Sequence, residues 1–198
     1  MVTVPYLASC RWYSVWLGRL LCGDGFDRAA AAANTTCGTT SRSLSRALIE
    51  GADGRVVMLS VPVRGGASAL KRVSPELLTI SGHGHWQHVH TGAISAAFGR
   101  TPYYQHLMPW LEQAYRDCGS EGDSLHGLND ALHLSLMRLL RIDETLPALR
   151  QMWSQKPELL RDAAAQTAAD YDVDLSALSV AMKHGPDAIF TLLTPLVL

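Results

Sequence analysis

The sequence lacks an excess of charge of either sign. It has 17 Lys and Arg residues against 18 Asp and Glu residues, a formal net charge of -1, and only 18% charged residues in total. A protein that holds nucleic acid through bulk charge needs a basic surface that neutralises several phosphates. We therefore expect no nucleic-acid partner.

Long hydrophobic runs are also missing. Charged residues such as Arg19, Asp24, Arg138 and Arg141 interrupt the most apolar segments, so no stretch offers the ~20 apolar residues that a transmembrane helix needs. No basic region precedes the apolar N-terminal part, and Arg11 falls inside it, which argues against a signal peptide. We expect a soluble, cytoplasmic protein with no membrane span.

Familiar chemical motifs are absent as well. The four cysteines form no CxxC pair and have no regular spacing, which indicates reduced thiols and not a disulfide framework. There is no GxxxxGK[ST] or GxGxxG phosphate loop, no HExxH and no GxSxG. The sequence specifies neither a cofactor nor an oligomeric state.

What the chain does have is enough apolar material for a core. Of its 198 residues, 47% are hydrophobic, which fits a single domain spanning residues 1–198. Its first half contains both strand and helix patterns. The β-branched segment Val2–Leu7 predicts an opening strand, the spacing after Ser9 predicts a helix that ends at Gly23, and Ala29–Ala33 fits either a helix or a buried strand.

A β-hairpin is the clearest prediction of this half. Two apolar runs, 46–50 and 56–61, flank a turn that contains Asp53-Gly54. Residues 77–81 predict one more short strand. The hairpin and these strands would form a small N-terminal sheet.

The second half reads as helical. One helix runs from Trp86 to Gly99, the next starts at Thr101-Pro102 and is kinked or restarted at Pro109, and a third is capped by Asp123 or Ser124. Later helix starts are predicted at Pro157, Asp174 and Gly185-Pro186. The expected fold class is therefore α/β (mixed α+β), with a small N-terminal sheet packed by a helical C-terminal half.

Four of the eight histidines fall within residues 83–90. A zinc site is one reading of this cluster. However, His88 and His90 lie about 200° apart around a helix and cannot share a metal. Only His85 and His88 could chelate one from that helix, and no Cys or carboxylate is close in sequence, so we expect no metal. His90 lies on the apolar face of the predicted helix. It fits either a buried, hydrogen-bonded histidine or a pocket-facing acid or base.

Other candidates also have two interpretations. Arg11 and Arg46 are either anion-binding groups or surface charges. Tyr104 is either core or the wall of a pocket, and no basic stripe accompanies it to make a nucleic-acid platform.

The order of these segments resembles the WbqC-like protein family, small bacterial proteins found mainly with gene clusters for surface polysaccharides of the O-antigen type. The resemblance covers the chain from Tyr6 to Leu193, within the following segments. They are PYLASCRWY (5–13), RALIEGADGRVVMLSVP (46–62), WQHVHTGAI (86–94), TPYYQHLMPWLEQAY (101–115), LNDALHLSLMRLLRI (128–142) and YDVDLSALSVAMKHGPDAIFTLL (171–193).

The resemblance implies a transferase that moves an acyl or aminoacyl group to an amino sugar, with a small-molecule sugar or acyl donor as its partner. Its site would gather Ser9 and His90 as catalytic residues, His90 as general base. Substrate would be bound by Arg11, Arg46, Trp86 and Tyr104.

This chain departs from the family pattern between residues 29 and 45. The family's acidic residue, its Tyr-Lys segment and the Asn of its Asn-Arg are replaced there by alanines, threonines and Ser45, so that only Arg46 remains of this polar set. Ala8 stands where Pro is usual. A second hypothesis is therefore a non-catalytic, degenerate sugar-nucleotide or partner-binding module. A third is a zinc-dependent protein built on the histidine cluster.

Overall fold

A computed structural model describes residues 2–155 and 174–192, which are mostly helical with one two-stranded antiparallel sheet. This agrees with the expected mixed class. The helices are α1 (Cys10–Leu21), α2 (Phe26–Thr36), α3 (Gly66–Arg72), α4 (Trp86–Phe98), α5 (Tyr104–Cys118), α6 (Leu125–Leu139), α7 (Ile142–Gln155) and α8 (Ala177–His184). Short 3₁₀ helices lie at Pro75–Leu77, His83–His85 and Pro186–Leu192.

The hairpin is confirmed. Strand β1 (Arg46–Glu50) pairs with β2 (Val56–Ser60), and Leu48 lies opposite Met58. Backbone hydrogen bonds at both ends, Val61 N–H to Ser45 and Gly51 N–H to Arg55, make Leu48–Met58 a non-hydrogen-bonded pair, in which side chains approach most closely. One face, with Ile49 and Leu59, is buried, whereas Leu48 and Met58 are exposed.

The predicted opening strand is wrong. Residues 2–8 form no ladder in the described part of the chain, and only Ser9 forms an isolated bridge, with Ser176. Side-chain amides bind two carbonyls of this segment, and the Tyr6 N–H donates to the Ser43 carbonyl at 3.2 Å. Asn34 donates to the Thr3 carbonyl at 2.7 Å and Asn129 to the Val4 carbonyl at 3.0 Å, so the segment needs no neighbouring strand.

Two other predictions about local structure need correction. Residues 77–81 form a 3₁₀ turn and then isolated bridges from Thr79 and Ile80, because each meets a different partner segment. Helix α5 continues past Pro109 and does not restart there. The short helix α3 lies just after the hairpin. The Ala29–Ala33 run is part of α2. The helix start predicted at Pro157 lies outside the described residues.

Helix α1 forms the centre of the core. All of its residues are buried except Arg11 and Arg19, and Trp12 and Trp16 are among the largest fully buried side chains. Its length is covered by α2, α7 and the 3₁₀ helix Pro186–Leu192. Burying such large aromatic side chains contributes strongly to stability.

A short C-terminal segment closes the fold around the N-terminus. Cys10 N–H donates to the Leu175 carbonyl at 2.8 Å, and Ala177 N–H donates to the Ala8 carbonyl at 3.0 Å. On the other side, Ser176 N–H donates to the Leu48 carbonyl at 2.7 Å. Residues 174–177 therefore connect the start of α1 to the hairpin. None of the described helices is both long and apolar enough to cross a bilayer.

Candidate functional site

An open cleft of about 360 Å³ lies where the start of α1, the hairpin and residues 174–177 meet. We call it the arginine cleft. One side is residues 5–9, which lead into α1, and the other is the outward face of the hairpin. The turn after α2 and the segment at 174–176 complete it. Its polar lining includes Ser9, Thr39, Arg42, Ser43, Arg46 and Asp174, and its apolar lining includes Leu48 and Met58.

Two arginines in this cleft have no carboxylate partner among residues 2–155 and 174–192. Arg42 and Arg46 are both exposed, and neither takes part in an ion pair within the described ranges. By contrast, Arg11 lies 3.8 Å from Asp174 at the edge of the cleft. A guanidinium presents several donors in one plane, which suits phosphate or carboxylate oxygens. The cleft can therefore bind an anion without first breaking an internal ion pair.

Ser9 lies in the cleft as the N-cap of α1. Its Oγ accepts the Trp12 backbone N–H at 3.3 Å, so the hydroxyl proton is still available to a ligand. In the part of the chain that the structure describes, no His, Asp or Glu side chain is hydrogen-bonded to Ser9. An activated serine nucleophile needs such a base, and the present contacts give Ser9 a capping role.

Cys37 is the cleft's thiol, and it is not activated. It is half-buried at the C-terminal end of α2. Burial is the main cause that raises its pKa, and nearby Asp174 raises it further, while Arg11 acts in the opposite direction. The protonated thiol is a weak nucleophile.

His90 lies behind the cleft wall in a buried hydrogen-bond network. Its Nδ1 is 2.9 Å from the Tyr6 hydroxyl, and its Nε2 accepts the Ser60 backbone N–H at 3.1 Å. The Tyr6 hydroxyl also contacts the Tyr115 hydroxyl. Tyr6 lines the cleft, so it is the connection between the cleft and His90.

These contacts determine the protonation of the network. Because Nε2 accepts a hydrogen bond from a backbone N–H, the neutral ring carries its proton on Nδ1 and donates it to Tyr6. Burial lowers the pKa of His90 to about 4, and burial raises the pKa of Tyr6 and of Tyr115 well above their usual value. At neutral pH the whole network is therefore uncharged, and the imidazole's one lone pair is occupied.

The remaining two predicted site residues lie elsewhere. Trp86 is buried, with its ring 5.0 Å from that of His90 and 5.0 Å from that of Tyr115. The Tyr104 hydroxyl bonds to Ser95 Oγ at 2.5 Å, which joins α5 to α4. The structure thus places Ser9 and Arg46 in the cleft, Arg11 at its edge, His90 behind it, and Trp86 and Tyr104 outside it.

Sequence reasoning did not select Arg42, Tyr6 or Asp174. Arg42 lies only four residues before Arg46, and that spacing was a usable signal. Asp174 was interpreted as a helix start, but Ser176 caps α8, with its Oγ accepting the Leu178 N–H at 3.2 Å. Tertiary contacts of residues 174–177 with residues 8–11 and with Leu48 bring Asp174 to the cleft.

The exposed histidines form no metal centre in the described residues. His83, His85 and His88 are all exposed. Across residues 2–155 and 174–192, no group of three or more His, Cys, Asp or Glu side chains is arranged to hold a metal ion.

A comparison of the sequence with protein-family models gives a match. The model of the WbqC-like protein family matches residues 39–177, which is 139 of the 198 residues. The chain belongs to the WbqC-like protein family. The match begins at the turn after α2 and ends at the first residue of α8, so it includes Arg42, Arg46 and Asp174. No curated protein matches the chain, and no solved structure matches it.

Proposed function

We propose that this WbqC-like protein is a transferase that moves an acyl or aminoacyl group to the amino group of a phosphate-bearing sugar, in the assembly of a surface polysaccharide. The observation that carries this proposal is the pair of exposed arginines in the cleft, which form no ion pair with any residue that the structure describes. The link to surface polysaccharides rests on the family resemblance.

Arg42 and Arg46 would bind the phosphate. Both are exposed in the cleft, so binding removes little protein–protein interaction and gains charge-assisted hydrogen bonds. The hydroxyls of Ser9, Thr39 and Ser43 would contact the sugar or the remaining phosphate oxygens. Arg11 would hold Asp174 in place at the edge of the site.

The transfer requires a proton acceptor. The amine attacks the carbonyl carbon of the donor, a C–N bond forms, the bond to the leaving group breaks, and the amine loses a proton. Within the described residues, Asp174 is the one carboxylate that lines the cleft. We assign proton acceptance to Asp174. Because both nitrogens of His90 are already bonded, we give His90 the task of positioning Tyr6.

Calorimetric titration with inorganic pyrophosphate and with uridine diphosphate glucosamine tests the anion site. We expect Arg46→Ala to weaken binding roughly 10- to 100-fold, the loss of a charge-assisted hydrogen bond or two. Arg55→Ala is the matched control, because Arg55 lies in the same hairpin but outside the cleft. Equal losses in both variants, or no binding of either anion to the wild type, would contradict the proposal.

A non-catalytic binding module is the second candidate. The cleft has a single carboxylate and no histidine among its described lining residues, which favours binding without chemistry. This reading predicts the same Arg46-dependent binding but no product. Incubation of the protein with an acyl thioester and with either uridine diphosphate glucosamine or a prenyl-phosphate-linked glucosamine, followed by mass spectrometry, decides between the two. An N-acylated sugar that Asp174→Asn fails to produce supports the transferase.

A further inference from the structure

The outward face of the hairpin carries an apolar pair that the fold does not cover. Leu48 and Met58 lie opposite each other and are 37% and 56% exposed. Both line the arginine cleft. Exposed apolar side chains that lie together in a concave site indicate an apolar ligand group.

Arg46 lies next to this pair on the same face. Alternate residues of a strand share a face, so Arg46 and Leu48 point to the same side, about 7 Å apart along β1. The hairpin therefore presents a cation and an apolar surface side by side. The ligand that matches must carry its anion directly beside an apolar chain.

We infer that the phosphate-bearing substrate is lipid-linked, with an alkyl or prenyl chain against Leu48 and Met58 and its phosphate or diphosphate at Arg46 and Arg42. In a nucleotide-linked sugar, polar groups flank the diphosphate on both sides. In an acyl thioester of coenzyme A, a long polar arm separates the acyl chain from the phosphates. Of these three phosphate-bearing classes, the lipid phosphate has the two groups as close together as the hairpin requires.

This inference rests on the proposed function, since it names the substrate class of the same cleft. A soluble ten-carbon prenyl phosphate is the probe, compared by calorimetry with inorganic phosphate and with the corresponding prenyl alcohol. We expect the prenyl phosphate to bind at least about 10-fold more tightly than either, because both halves of the site are then filled.

The hairpin supplies a matched pair of variants. Met58→Ser removes part of the apolar surface and should weaken the binding of prenyl phosphate roughly fivefold, while the binding of inorganic phosphate should not change. Val56→Ser is the control, because Val56 lies on the same strand and face and is 54% exposed but does not line the cleft. Both positions are exposed, so neither variant should impair folding.

The outcomes separate the two proposals. If prenyl phosphate binds no more tightly than inorganic phosphate, or if Val56→Ser weakens it as much as Met58→Ser, the lipid-linked assignment is overturned. Arg46-dependent binding of pyrophosphate would then still support the proposed function. If the binding of prenyl phosphate depends on Met58 but not on Arg46, the apolar site at Leu48 and Met58 is supported and the anion site of the proposed function is contradicted.

Discussion

Two buried neutral histidines should make the protein sensitive to mild acid. Burial lowers the pKa of both His90 and His133 from 6.5 to about 4. His133 is 3.1 Å from the Tyr13 hydroxyl through Nδ1 and packs against the rings of Trp12 and Trp16. In the unfolded chain both imidazoles would take up a proton near pH 6.5, whereas in the folded protein they remain neutral.

The sign and size of the effect follow from proton linkage. Between pH 6.5 and about 4 the unfolded state binds more protons, so the free energy of unfolding falls as the pH falls through this window. Each histidine then costs about 2 kcal/mol of stability between pH 7 and pH 5. Both together cost about 4 kcal/mol, a large fraction of the 5–15 kcal/mol that stabilises a typical domain.

Denaturant unfolding at pH 7 and pH 5 measures this difference. His90→Gln removes one of the two titrating groups, so the loss between the two pH values should shrink by about half, whatever the variant does to absolute stability. His133→Gln should do the same. Burial raises the pKa of Asp130, which acts in the opposite direction, but it is common to all the proteins compared. A His90→Gln variant that keeps the full wild-type loss would refute the neutral assignment.

Two further predictions concern single buried contacts and are checked by urea unfolding at neutral pH. Asn129→Ala removes a side-chain amide that donates to two buried backbone carbonyls at 3.0 and 2.8 Å, and we expect a loss of about 2–4 kcal/mol; an unchanged midpoint would contradict this. Gly185→Ala should cost more than about 1 kcal/mol, because φ is +98° and the new Cβ would lie 2.9 Å from the Tyr103 ring. Gly92→Ala in α4, where the space is open, should instead stabilise by up to about 1 kcal/mol.

Local signals in the sequence were sufficient to predict elements whose hydrogen bonds are formed within a few residues. The Asp53-Gly54 turn between two apolar runs predicted the hairpin, and the confirmed strands flank it. Ser124 was one of two predicted caps, and its Oγ accepts the Gly127 N–H at 3.2 Å at the start of α6. Such signals act over a few residues, so they do not depend on the rest of the fold.

The opening segment needed information from distant residues. Its β-branched residues favour an extended backbone, but a strand also requires a neighbour with free backbone groups. Here the amides of Asn34 and Asn129, which come from α2 and α6, bind that backbone instead. No local pattern in residues 2–7 reports on these two helices.

The candidate site was predictable in part for the same reason. Helical periodicity correctly placed His90 on the buried face of α4. It could not distinguish a pocket from a core, because that depends on what faces the ring. Tyr6 and the Ser60 backbone, 84 and 30 residues away, occupy both nitrogens.

The hairpin links the anion site to the apolar site through backbone geometry. Arg46 and Leu48 are alternate residues of one strand, and Met58 is held opposite Leu48 by the register with β2. Their spacing therefore cannot change unless the register slips, which would reverse every side chain on both faces and expose Ile49. All of these residues fall within the matched family span 39–177, whereas Ser9 and Tyr6 precede it. Because Met58 is 56% exposed, substitutions there can change the apolar part of the cleft without disturbing the strand register or the buried face of the hairpin.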